Sequence, residues 1–525
     1  MRERRPNFLV ISTDQQRADH LGCYGAKVLK TPNIDALASR GIRFERAHVA
    51  SPVCMPNRAS LITGRMPSLH GLRHNGLNLS LDSATIGDIL LADGWATALV
   101  GKAHFQQFTR NPSPILARRT HVPNPHIPEA RISADTRYDQ EVSQYWRDDP
   151  CHDLVYPYYG FESVDLTVEH GDLVEGHYSR WLAERHPEPD SLRGPENALE
   201  GDPRAAPQSW RTAVPEELYS TRYIEERTID RLNEFARQRD TPFFLWASFN
   251  DPHHPFTPPG RYWNMYDPDE VDLPVSFALG ERADWPSRLG KMRRDGLASL
   301  TGTAAIAVDE AELRAAVALT YGMITMIDDA VGAILRELGN LGLEEDTIVI
   351  FLSDHGDLMG EFGLLFKGPF HYQALIRIPL IWADGRSRGA LHHCGYVSTI
   401  DIAASIIHAA GIIPFNGMQG RPFVDDDGAP VTSRECVLVE DEVQTRLPGH
   451  ELRGRVRTLL ADGWRLTIYD GIEPGYLYNL NDDPNEVDNL WDEPSAQLVR
   501  SKMMERLVRE MIAHSETSPL PEYAA

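Results

Sequence analysis

The chain has 525 residues, of which 42% are apolar and 24% are charged, so it is long enough for a large buried core and too apolar for a disordered protein. Its formal net charge of −24 argues against nucleic acid and against an anionic membrane surface as partners, because both are bound through an excess of lysine and arginine. An anionic substrate therefore requires cations that are gathered locally in a cleft.

Cysteine usage and hydropathy set further limits. The five cysteines are odd in number and widely spaced, and no C-x-x-C pair occurs, so neither a disulfide framework nor a structural zinc site is expected. The apolar run that begins at Phe8 is too short for a signal peptide, and no stretch approaches the roughly 18 apolar residues of a membrane span. We therefore expect a cytoplasmic enzyme without a membrane partner. The sequence does not decide between a monomer and a homo-oligomer.

Short apolar runs predict the strands of a parallel sheet that is covered on both faces. They are rich in β-branched or aromatic residues and lack polar alternation. These runs are 8–12, 96–100, 243–248, 347–353 and 378–383. Helical patterns separate them, the clearest at 31–40 and 310–338, and each of these two is followed by a glycine as a stop signal. Alternating strands and helices predict an α/β fold.

Composition divides the chain into two predicted domains. Residues 1–385 form the larger, catalytic α/β domain, and residues 386–525 form a smaller α+β domain. Predicted elements of the smaller domain are strands at 436–440 and 464–469 and a final helix at 495–514. Segment 109–210 is rich in proline, arginine, aspartate and histidine and has weak periodicity. We expect it to be a long excursion near the active face that contributes to substrate selection.

Four of the predicted strands end in residues that bind metals or transfer protons. These residues are Asp14 and Gln15 after the first strand, Lys102 and His104 after the second, Asp251, His253 and His254 after the third, and Asp354 and His355 after the fourth. In open α/β sheets, ligands bind outside the carboxyl ends of the strands. A single aspartate at such a place is more often a helix cap, but capping alone does not explain four agreeing ends.

Cys54 begins the sequence Cys-Met-Pro-Asn-Arg, in which Pro56 suits the first turn of a helix. Cys54 is then expected at the amino end of that helix, where backbone N–H groups and the helix dipole favour an anion. Taken alone, a buried free cysteine is the more common explanation of such a residue. The Cys-x-Pro-x-Arg spacing, which places Arg58 one helical turn further on, favours a functional role instead.

Cys54, Pro56 and Arg58 resemble the signature of the type I sulfatases of the alkaline phosphatase superfamily. Further blocks that resemble this family follow in order along the chain. They are Leu61, Thr63, Gly64 and Arg65, then 94–97 leading to 101–104, then 252–255, then 353–356 with Gly360 and Lys367, and finally 477–480 with Asp483, Pro484, Glu486, Asn489 and Leu490. The resemblance implies an alkaline-phosphatase-like fold, in which a mixed, mostly parallel sheet is sandwiched by helices and followed by a smaller C-terminal α+β domain.

The resemblance also implies a modified residue and a metal. In this family the cysteine, here Cys54, is oxidised after translation to formylglycine by a maturation enzyme. The hydrated aldehyde carries two hydroxyls, of which one attacks sulfur and the other is then deprotonated to release sulfate. One divalent metal is implied, and a small-molecule sulfate ester is the implied substrate. The implied metal ligands are Asp14, Gln15, Asp354, His355 and the modified side chain at position 54.

Roles for the remaining residues follow from the same resemblance. Lys102 and Lys367 are expected to hold sulfate oxygens, and His253 to protonate the departing alkoxide. His104 is expected to take the proton from the spare hydroxyl or to orient the diol, and Arg58 to brace the nucleophile. For Lys367 alone, a surface salt bridge is the competing interpretation.

The metal-ligand pairs differ from the commonest pattern of the family. Many members carry Asp-Asp and Asp-Asn, whereas this chain has Asp14 with Gln15 and Asp354 with His355. Family precedent and hard oxygen ligands favour Ca²⁺, but an imidazole favours a borderline ion such as Mn²⁺, so both ions are considered. The same pairs resemble choline sulfatases and phosphonate monoester hydrolases. Lys102 and His104 favour sulfate monoesters over phosphonates.

Three alternatives to a sulfatase stay open. A phosphonate monoester or phosphodiester hydrolase, or an enzyme promiscuous for both, uses the same fold, because the same cradle fits any tetrahedral oxyanion. A non-catalytic binder of sulfated ligands keeps Cys54 unmodified. A cysteine hydrolase that pairs Cys54 with His253 explains least, because it assigns no role to Asp14, Asp354 or either lysine.

Overall fold

The computed structural model describes residues 5–111, 136–200, 206–279, 284–297, 304–386, 389–432, 434–443 and 454–520. The strands in these ranges are β1 (Asn7–Thr13), β2 (Ile42–His48), β3 (Ala96–Lys102), β4 (Ser163–Val168), β5 (Glu175–Gly176), β6 (Phe243–Ser248), β7 (Ile306–Ala307), β8 (Thr347–Ser353), β9 (Leu358–Met359), β10 (Leu364–Phe366), β11 (Leu380–Asp384), β12 (Leu391–Ser398), β13 (Cys436–Glu442), β14 (Arg455–Ala461), β15 (Trp464–Tyr469) and β16 (Ile472–Asn479). The α-helices are α1 (Pro32–Ala38), α2 (Cys54–Thr63), α3 (Pro67–His70), α4 (Ile86–Ala92), α5 (Ser143–Asp148), α6 (His177–Arg185), α7 (Ser220–Ala236), α8 (Asp284–Arg294), α9 (Glu310–Asn340), α10 (Gln373–Ile376), α11 (Ile400–Ala409) and α12 (Gln497–Ala513).

A nine-stranded sheet forms the centre of the molecule, in the order β12-β2-β11-β8-β1-β6-β3-β4-β5. The inner strands β8, β1, β6, β3 and β4 are all parallel, whereas β11 and the edge strand β5 run antiparallel to their neighbours. Successive side chains of β1 enter two different cores, with Phe8 and Val10 in one and Leu9 and Ile11 in the other. This alternation is the two-residue period of a strand that is covered on both faces. The predicted mixed, mostly parallel sheet is confirmed.

Two features of the large sheet differ from the sequence predictions. The run predicted at 378–383 forms β11, which is antiparallel to β8 and β2, because an apolar run indicates burial but not direction. The predicted domain boundary at 385/386 precedes β12, which pairs in parallel with β2 and therefore belongs to the large sheet. The smaller sheet begins only at Cys436.

Part of the predicted excursion at 109–210 belongs to the large sheet. Residues 112–135 and 201–205 of that segment lie outside the described residues. Ser163–Val168 forms β4, which pairs in parallel with β3 over five residues, Ala98 to Lys102. Apolar residues Val164, Leu166 and Val168 alternate along this strand and are buried. This alternation is a strand pattern, although the sequence prediction did not include a strand here.

The smaller sheet is antiparallel, in the order β13-β14-β15-β16, and α12 packs against it. Leu438, Leu459, Leu466 and Leu477 of the sheet share one core with Leu507 of the helix. The strands predicted at 436–440 and 464–469 and the final helix predicted at 495–514 are confirmed within a few residues. The predicted smaller C-terminal unit is therefore present.

The longest helix, α9, is a core element. Its N-terminus is closed by a capping box between Asp309 and Glu312. Within the described ranges it is the one helix that is long and apolar enough to cross a membrane. However, 89% of its most apolar 18-residue window is buried inside the fold, so its hydropathy reflects packing against the sheet.

Candidate active site

The carboxyl ends of the parallel strands deliver polar side chains to one place, as the sequence predicts. Asp14 follows β1, and Asp354 and His355 follow β8. The potential ligand atoms of Asp14, Cys54, Asp354 and His355 all lie within 4.8 Å of one another, and all four residues are buried. A cluster of this kind is costly unless its charges are compensated, so the partners of each residue decide what it can do.

The carboxyl group of Asp354 accepts hydrogen bonds from three donors. Its Oδ1 accepts hydrogen bonds from the backbone N–H of Gln15 at 3.0 Å and from its neighbour His355 at 2.8 Å. Its Oδ2 accepts from Nε of Arg58 at 2.8 Å. Gln15 adopts a left-handed φ of 63°, which turns its N–H toward this carboxylate. The chain that leaves β1 is therefore shaped around Asp354.

Asp14 is held as a carboxylate by two cations, which both lie at one of its two oxygens. Its Oδ2 accepts a hydrogen bond from Nζ of Lys102 and lies 3.6 Å from Nη2 of Arg58. Burial opposes ionisation, but Lys102 and Arg58 hold the pKa of Asp14 well below its usual range. The other oxygen, Oδ1, is buried and has no hydrogen-bond partner among the residues that the structure describes. An ionised oxygen in that position is suited to a cation.

The imidazole of His355 is oriented toward the same point. Its Nδ1 lies 2.7 Å from the carbonyl oxygen of Gly356. A carbonyl can only accept, so Nδ1 carries the hydrogen and Nε2 keeps its lone pair. That Nε2 lies 3.2 Å from Sγ of Cys54 and 3.9 Å from Oδ1 of Asp14. Two carboxylates and one imidazole nitrogen, with the amide oxygen of Gln15 nearby, fit a divalent cation.

Cys54 is the first residue of α2, and every residue of this helix is buried. Its Sγ lies 3.0 Å from Nζ of Lys367. Burial raises the pKa of the thiol, but the nearby cations, Lys367 first, outweigh burial and lower the pKa to about 7. The environment at this position therefore favours an anionic oxygen or sulfur.

Asn57 fixes the turn that precedes Cys54, a role that the sequence analysis did not assign. Its Oδ1 accepts from the backbone N–H of Ala50 at 3.1 Å and from the hydroxyl of Thr399 at 2.7 Å. Its Nδ2 donates to the backbone carbonyl of Asp354. One amide thus joins the start of α2 to the end of β8, and its place inside the 54–58 signature was the available signal.

Arg58 braces the carboxylates rather than the thiol. Besides Asp354, its guanidinium donates from Nη1 to the carbonyl of Lys102 and to Oγ of Ser248, each at 2.8 Å. These contacts join the carboxyl ends of β3, β6 and β8. Arg58 makes no hydrogen bond to Sγ of Cys54, so the bracing of the nucleophile that was predicted from the sequence is indirect.

Lys102 and Lys367 are far apart in the sequence, but both side chains reach the cluster. Lys102 ends β3 and is fully buried, and Lys367 follows β10 and is 7% exposed. Nζ of Lys367 lies 3.0 Å from both Oε1 of Gln15 and Sγ of Cys54. The surface salt bridge considered for Lys367 therefore does not form, because its ammonium lies inside the site.

His253 lies beside Lys367. Its Nδ1 donates to the carbonyl of His254, which leaves Nε2 facing Nζ of Lys367 at 3.1 Å. Burial lowers the pKa of His253 well below its usual value, and the neighbouring histidines and lysines lower it further. His254 packs on Phe366, with ring centroids 4.0 Å apart, and its Nδ1 lies 3.3 Å from Nε2 of Gln15.

His170 belongs to the site although the sequence analysis did not single it out. It follows β4, and its Nε2 accepts from Nζ of Lys102 at 2.6 Å. Its ring stacks on that of His253, with centroids 3.8 Å apart and planes 16° apart. The sequence did not predict β4 as a strand, so His170 was not among the residues expected at a strand end.

His104 lies at the edge of the cluster in a left-handed backbone conformation with φ 56°. Its ring stacks on that of Phe108, with centroids 3.8 Å apart, and its buried Nδ1 has no hydrogen-bond partner within the described ranges. Glu141 accepts from the backbone N–H groups of His104, Phe105 and Gln106 at 2.7–2.9 Å and so fixes this turn. Glu141 lies in the weakly patterned segment, where nothing in the sequence indicated this contact.

Comparisons with known proteins agree with this geometry. Residues 6–412 match the family model described as Sulfatase, and residues 360–513 match the one described as N-sulphoglucosamine sulphohydrolase, C-terminal. The chain is 28% identical over 511 residues to the uncharacterized sulfatase YidJ of Escherichia coli (strain K12), covering 97% of this chain and 87% of that protein. It is 27% identical over 525 residues to the multifunctional alkaline phosphatase superfamily protein PehA of Trinickia caryophylli, covering 94% and 93%.

Among solved structures, the chain is similar to the phosphonate monoester hydrolase of Agrobacterium radiobacter, with a TM-score of 0.76 and 25% identity. This likeness covers 98% of this chain and 97% of that one, so it includes both sheets. The fold is thus alkaline-phosphatase-like. Because the sulfatase model matches well over half of its residues, the chain belongs to the sulfatase family and is a sulfuric ester hydrolase.

Proposed function

We propose that the protein hydrolyses sulfate monoesters with a formylglycine nucleophile made from Cys54 and one divalent metal ion. One observation supports this more than any other. The ligand atoms of Asp14, Cys54, Asp354 and His355 lie within 4.8 Å of one another in a buried cluster. Asp14 and Asp354 are separated by more than three hundred positions in the sequence, so their meeting beside Cys54 is a product of the fold.

The metal ligands in this proposal are Asp14, Gln15, Asp354 and His355, together with the modified residue 54. Oδ1 of Asp14 has no hydrogen-bond partner among the described residues, so it is available to a cation. Nε2 of His355 lies 3.3 Å from Nζ of Lys367 and 3.2 Å from Sγ of Cys54, and a bound cation would replace these contacts. Such an ion supplies polarisation of the nucleophilic oxygen and offsets the charge of the sulfate ester. Oxygen ligands suit Ca²⁺ and the imidazole suits Mn²⁺, so both remain candidates.

The position of Cys54 suits the proposed modification. A hydrated aldehyde there supplies two hydroxyls on one carbon, one for attack on sulfur and one whose deprotonation releases sulfate. The same surroundings that lower the pKa of the Cys54 thiol to about 7 favour an anionic oxygen in its place. Burial opposes this shift, and Lys367, 3.0 Å from Sγ, is the largest of the contributions that lower the pKa.

Lys102 and Lys367 are proposed to bind the sulfate oxygens. Both are buried, so their charges are poorly screened by water and act strongly at short range. In the whole chain acidic residues exceed basic ones by 24, so an anionic substrate has to be attracted locally. Arg58 and the two lysines provide three cations against the carboxylates of Asp14 and Asp354.

His253 is proposed to protonate the departing alkoxide. Its Nε2 faces the cluster, which is the geometry that a proton donor at the leaving group needs. The low pKa of the ring results from burial and from adjacent cations, Lys367 among them. A sulfate ester bound between the lysines offsets these cations and raises the pKa toward the working range.

His104 is proposed to accept the proton from the second hydroxyl, or to orient the diol. Its buried Nδ1 has no partner in the described part of the chain, so it is available for a substrate-dependent hydrogen bond. Stacking on Phe108 and the contact of its backbone N–H with Glu141 hold the ring in place. A fixed, unpartnered nitrogen is what a general base requires.

Mass spectrometry of the tryptic peptide 47–58 tests the modification directly. Protein from a host that contains the maturation enzyme should yield a lighter peptide than the unmodified one, because the conversion removes one sulfur and two hydrogens and adds one oxygen. The matured protein should turn over 4-nitrophenyl sulfate only when Ca²⁺ or Mn²⁺ is present. An intact thiol in this protein, together with tight binding of a sulfate ester and no turnover, would instead indicate a non-catalytic binder.

A phosphonate monoester or phosphodiester hydrolase is the second candidate, because the phosphonate monoester hydrolase of Agrobacterium radiobacter shares the whole fold. The presence of both Lys102 and His104 at the site favours the sulfate monoester. Rates on matched aryl sulfate and aryl phosphonate esters separate the two candidates. A preference of several decades for the phosphonate would overturn the first proposal.

A further inference from the structure

The block that closes the family resemblance, from Leu477 to Leu490, takes no part in the cluster described above. Tyr478 lies in β16, and Glu486 follows that strand. Both side chains are only 2% exposed. A buried glutamate needs partners, and those of Glu486 lead back to the active site.

Glu486 joins the small sheet to the segment 367–373, which we call the lysine segment because Lys367 is its first residue. One carboxylate oxygen, Oε2, accepts from the backbone N–H of Gln373 at 2.6 Å. Gln373 is the first residue of α10, so this N–H has no partner within its own helix. The other oxygen, Oε1, pairs with Nε of Arg465 in β15.

Arg465 is held on all sides and so fixes Glu486. It is 1% exposed, and its Nη1 donates to the hydroxyl of Thr467 at 2.8 Å. Its guanidinium lies 4.6 Å from the ring centroid of Tyr478 and 5.6 Å from that of Tyr372. Arg465 therefore holds Glu486 against the small sheet.

Two further contacts tie the small sheet to the same segment. The hydroxyl of Tyr469, in β15, donates to the carbonyl of Pro369 at 2.8 Å. The hydroxyl of Thr458, in β14, lies 2.8 Å from Nδ1 of His371. Together with Glu486, these contacts fix Pro369, His371 and Gln373, all within six residues of Lys367. At its other end the segment continues directly from β10.

We propose that Glu486 is a positioning residue: with Arg465, it holds the lysine segment so that the ammonium of Lys367 stays at the sulfate-binding centre. The inference rests on the proposed function only in assigning an oxyanion to Lys367. Removing a residue that orients a group in direct contact with the reacting atoms typically costs about 10–100-fold in activity. The proposal also assigns a role to the block 477–490, because Glu486 of this block holds the segment that carries Lys367.

A double-mutant cycle tests this coupling. Glu486→Ala should lower kcat/KM for 4-nitrophenyl sulfate by about 10–100-fold in the native background. In a Lys367→Ala background it should change kcat/KM by no more than about twofold, because the group that it positions is already gone. Glu486→Gln should lose less than Glu486→Ala, since its amide oxygen can still accept from the N–H of Gln373. Equal losses in both backgrounds would overturn the proposal.

Leu507→Ala is the matched control for loss of stability. Leu507 packs on the small sheet from α12 in a different core from Phe370 and Tyr372 of the lysine segment, so Leu507→Ala should weaken the same unit without moving Lys367. At a temperature where both variants are equally folded, Leu507→Ala should keep native kcat/KM. A loss matching that of Glu486→Ala would show that the effect is general destabilisation.

Hydrogen–deuterium exchange separates failure of this inference from failure of the proposed function, because it needs no substrate. In Glu486→Ala, amides of the lysine segment should exchange faster, while those of β8 should keep their protection. Leu507→Ala should leave the segment unchanged. Unaltered exchange at 367–373 in Glu486→Ala would refute the positioning role, whichever ester the enzyme hydrolyses.

Discussion

Arg58→Met should destabilise the metal-free protein strongly, because Arg58 is the shared counter-ion of the two metal-binding carboxylates. Its side chain is fully buried, 2.8 Å from Oδ2 of Asp354 and 3.6 Å from Oδ2 of Asp14. Methionine retains most of the unbranched stem, so the change removes charge more than volume. Removing one partner of a buried ion pair typically costs about 3–5 kcal/mol, because the remaining charge stays buried.

Metal should recover part of this loss. A dication bound between Asp14 and Asp354 takes over the compensation that Arg58 provided, so the variant should bind the ion more tightly than the native protein does. Binding adds about 2.7 kcal/mol at about 100 times Kd, and a Kd about tenfold lower in the variant adds about 1.4 kcal/mol more to the variant alone. Unfolding in urea with and without Ca²⁺ or Mn²⁺ measures both quantities. The gap between variant and native protein should be widest in chelator and should narrow when metal is saturating.

The exposed pair of Arg509 and Glu505 provides the control for this measurement. Their side chains are 73% and 65% exposed, so Arg509→Met should cost no more than about 1 kcal/mol, with or without metal. If metal-free Arg58→Met were as stable as Arg509→Met, the carboxylates would not depend on Arg58 for compensation. The electrostatic account of the site would then be wrong.

Four further outcomes are expected. Cys54→Ala should fold, since it removes one buried sulfur, but should show no turnover of any ester. Replacing Lys102 or Lys367 by methionine should each raise the activation barrier by about 2–4 kcal/mol, measured as kcat/KM. His253→Ala should slow esters with poor leaving groups more than activated nitrophenyl esters. Burial lowers the pKa of His70 to about 3, so the native state favours its neutral form and loses that stability as pH falls below about 6.5. From pH 7 to pH 5, urea unfolding should show a loss of about 2 kcal/mol that is absent in His70→Gln.

Each of these expectations has an outcome that contradicts it. Residual turnover by Cys54→Ala would show that another residue is the nucleophile. A loss of kcat/KM below tenfold on removing either lysine would argue against its binding of the sulfate oxygens. Equal losses on activated and unactivated esters would remove His253 as the proton donor. A His70→Gln variant with the native pH dependence would show that other buried groups dominate acid unfolding.

The sequence predicted the strands of the large sheet that are buried on both faces. The runs at 8–12, 243–248 and 347–353 are apolar except for a serine or threonine at their ends, and all became inner strands because no charged residue interrupts them. Strands nearer the edges carry charge and were missed, as in Ile42–His48, where Arg43, Glu45 and Arg46 interrupt the apolar pattern. Direction was not predictable for β11, because pairing partners are chosen by tertiary packing.

The place of the site was predictable because residues at several strand ends agree on one edge, and the structure brings Asp14, Cys54, Asp354 and Lys367 together there. Their catalytic roles remain predictions. His170 and Glu141 escaped notice because both lie in a segment with weak periodicity. Contacts between residues that are distant in the sequence, such as that of the Glu141 carboxylate with the backbone of His104, produce no local sequence pattern.

The large sheet can be completed only late in synthesis, because β1 at its centre pairs with a strand that is made much later. Its parallel partner β8 lies near the end of the large sheet's sequence, and Cys54 and Asp354 are 300 positions apart. At typical rates of translation, roughly 15 to 60 s pass between their appearance. Throughout that interval Cys54 has no completed sheet to bury it, whereas in the finished fold it is 1% exposed. If Cys54 is converted to formylglycine as proposed, the oxidation therefore competes with completion of the chain, because a chain that folds first buries the thiol.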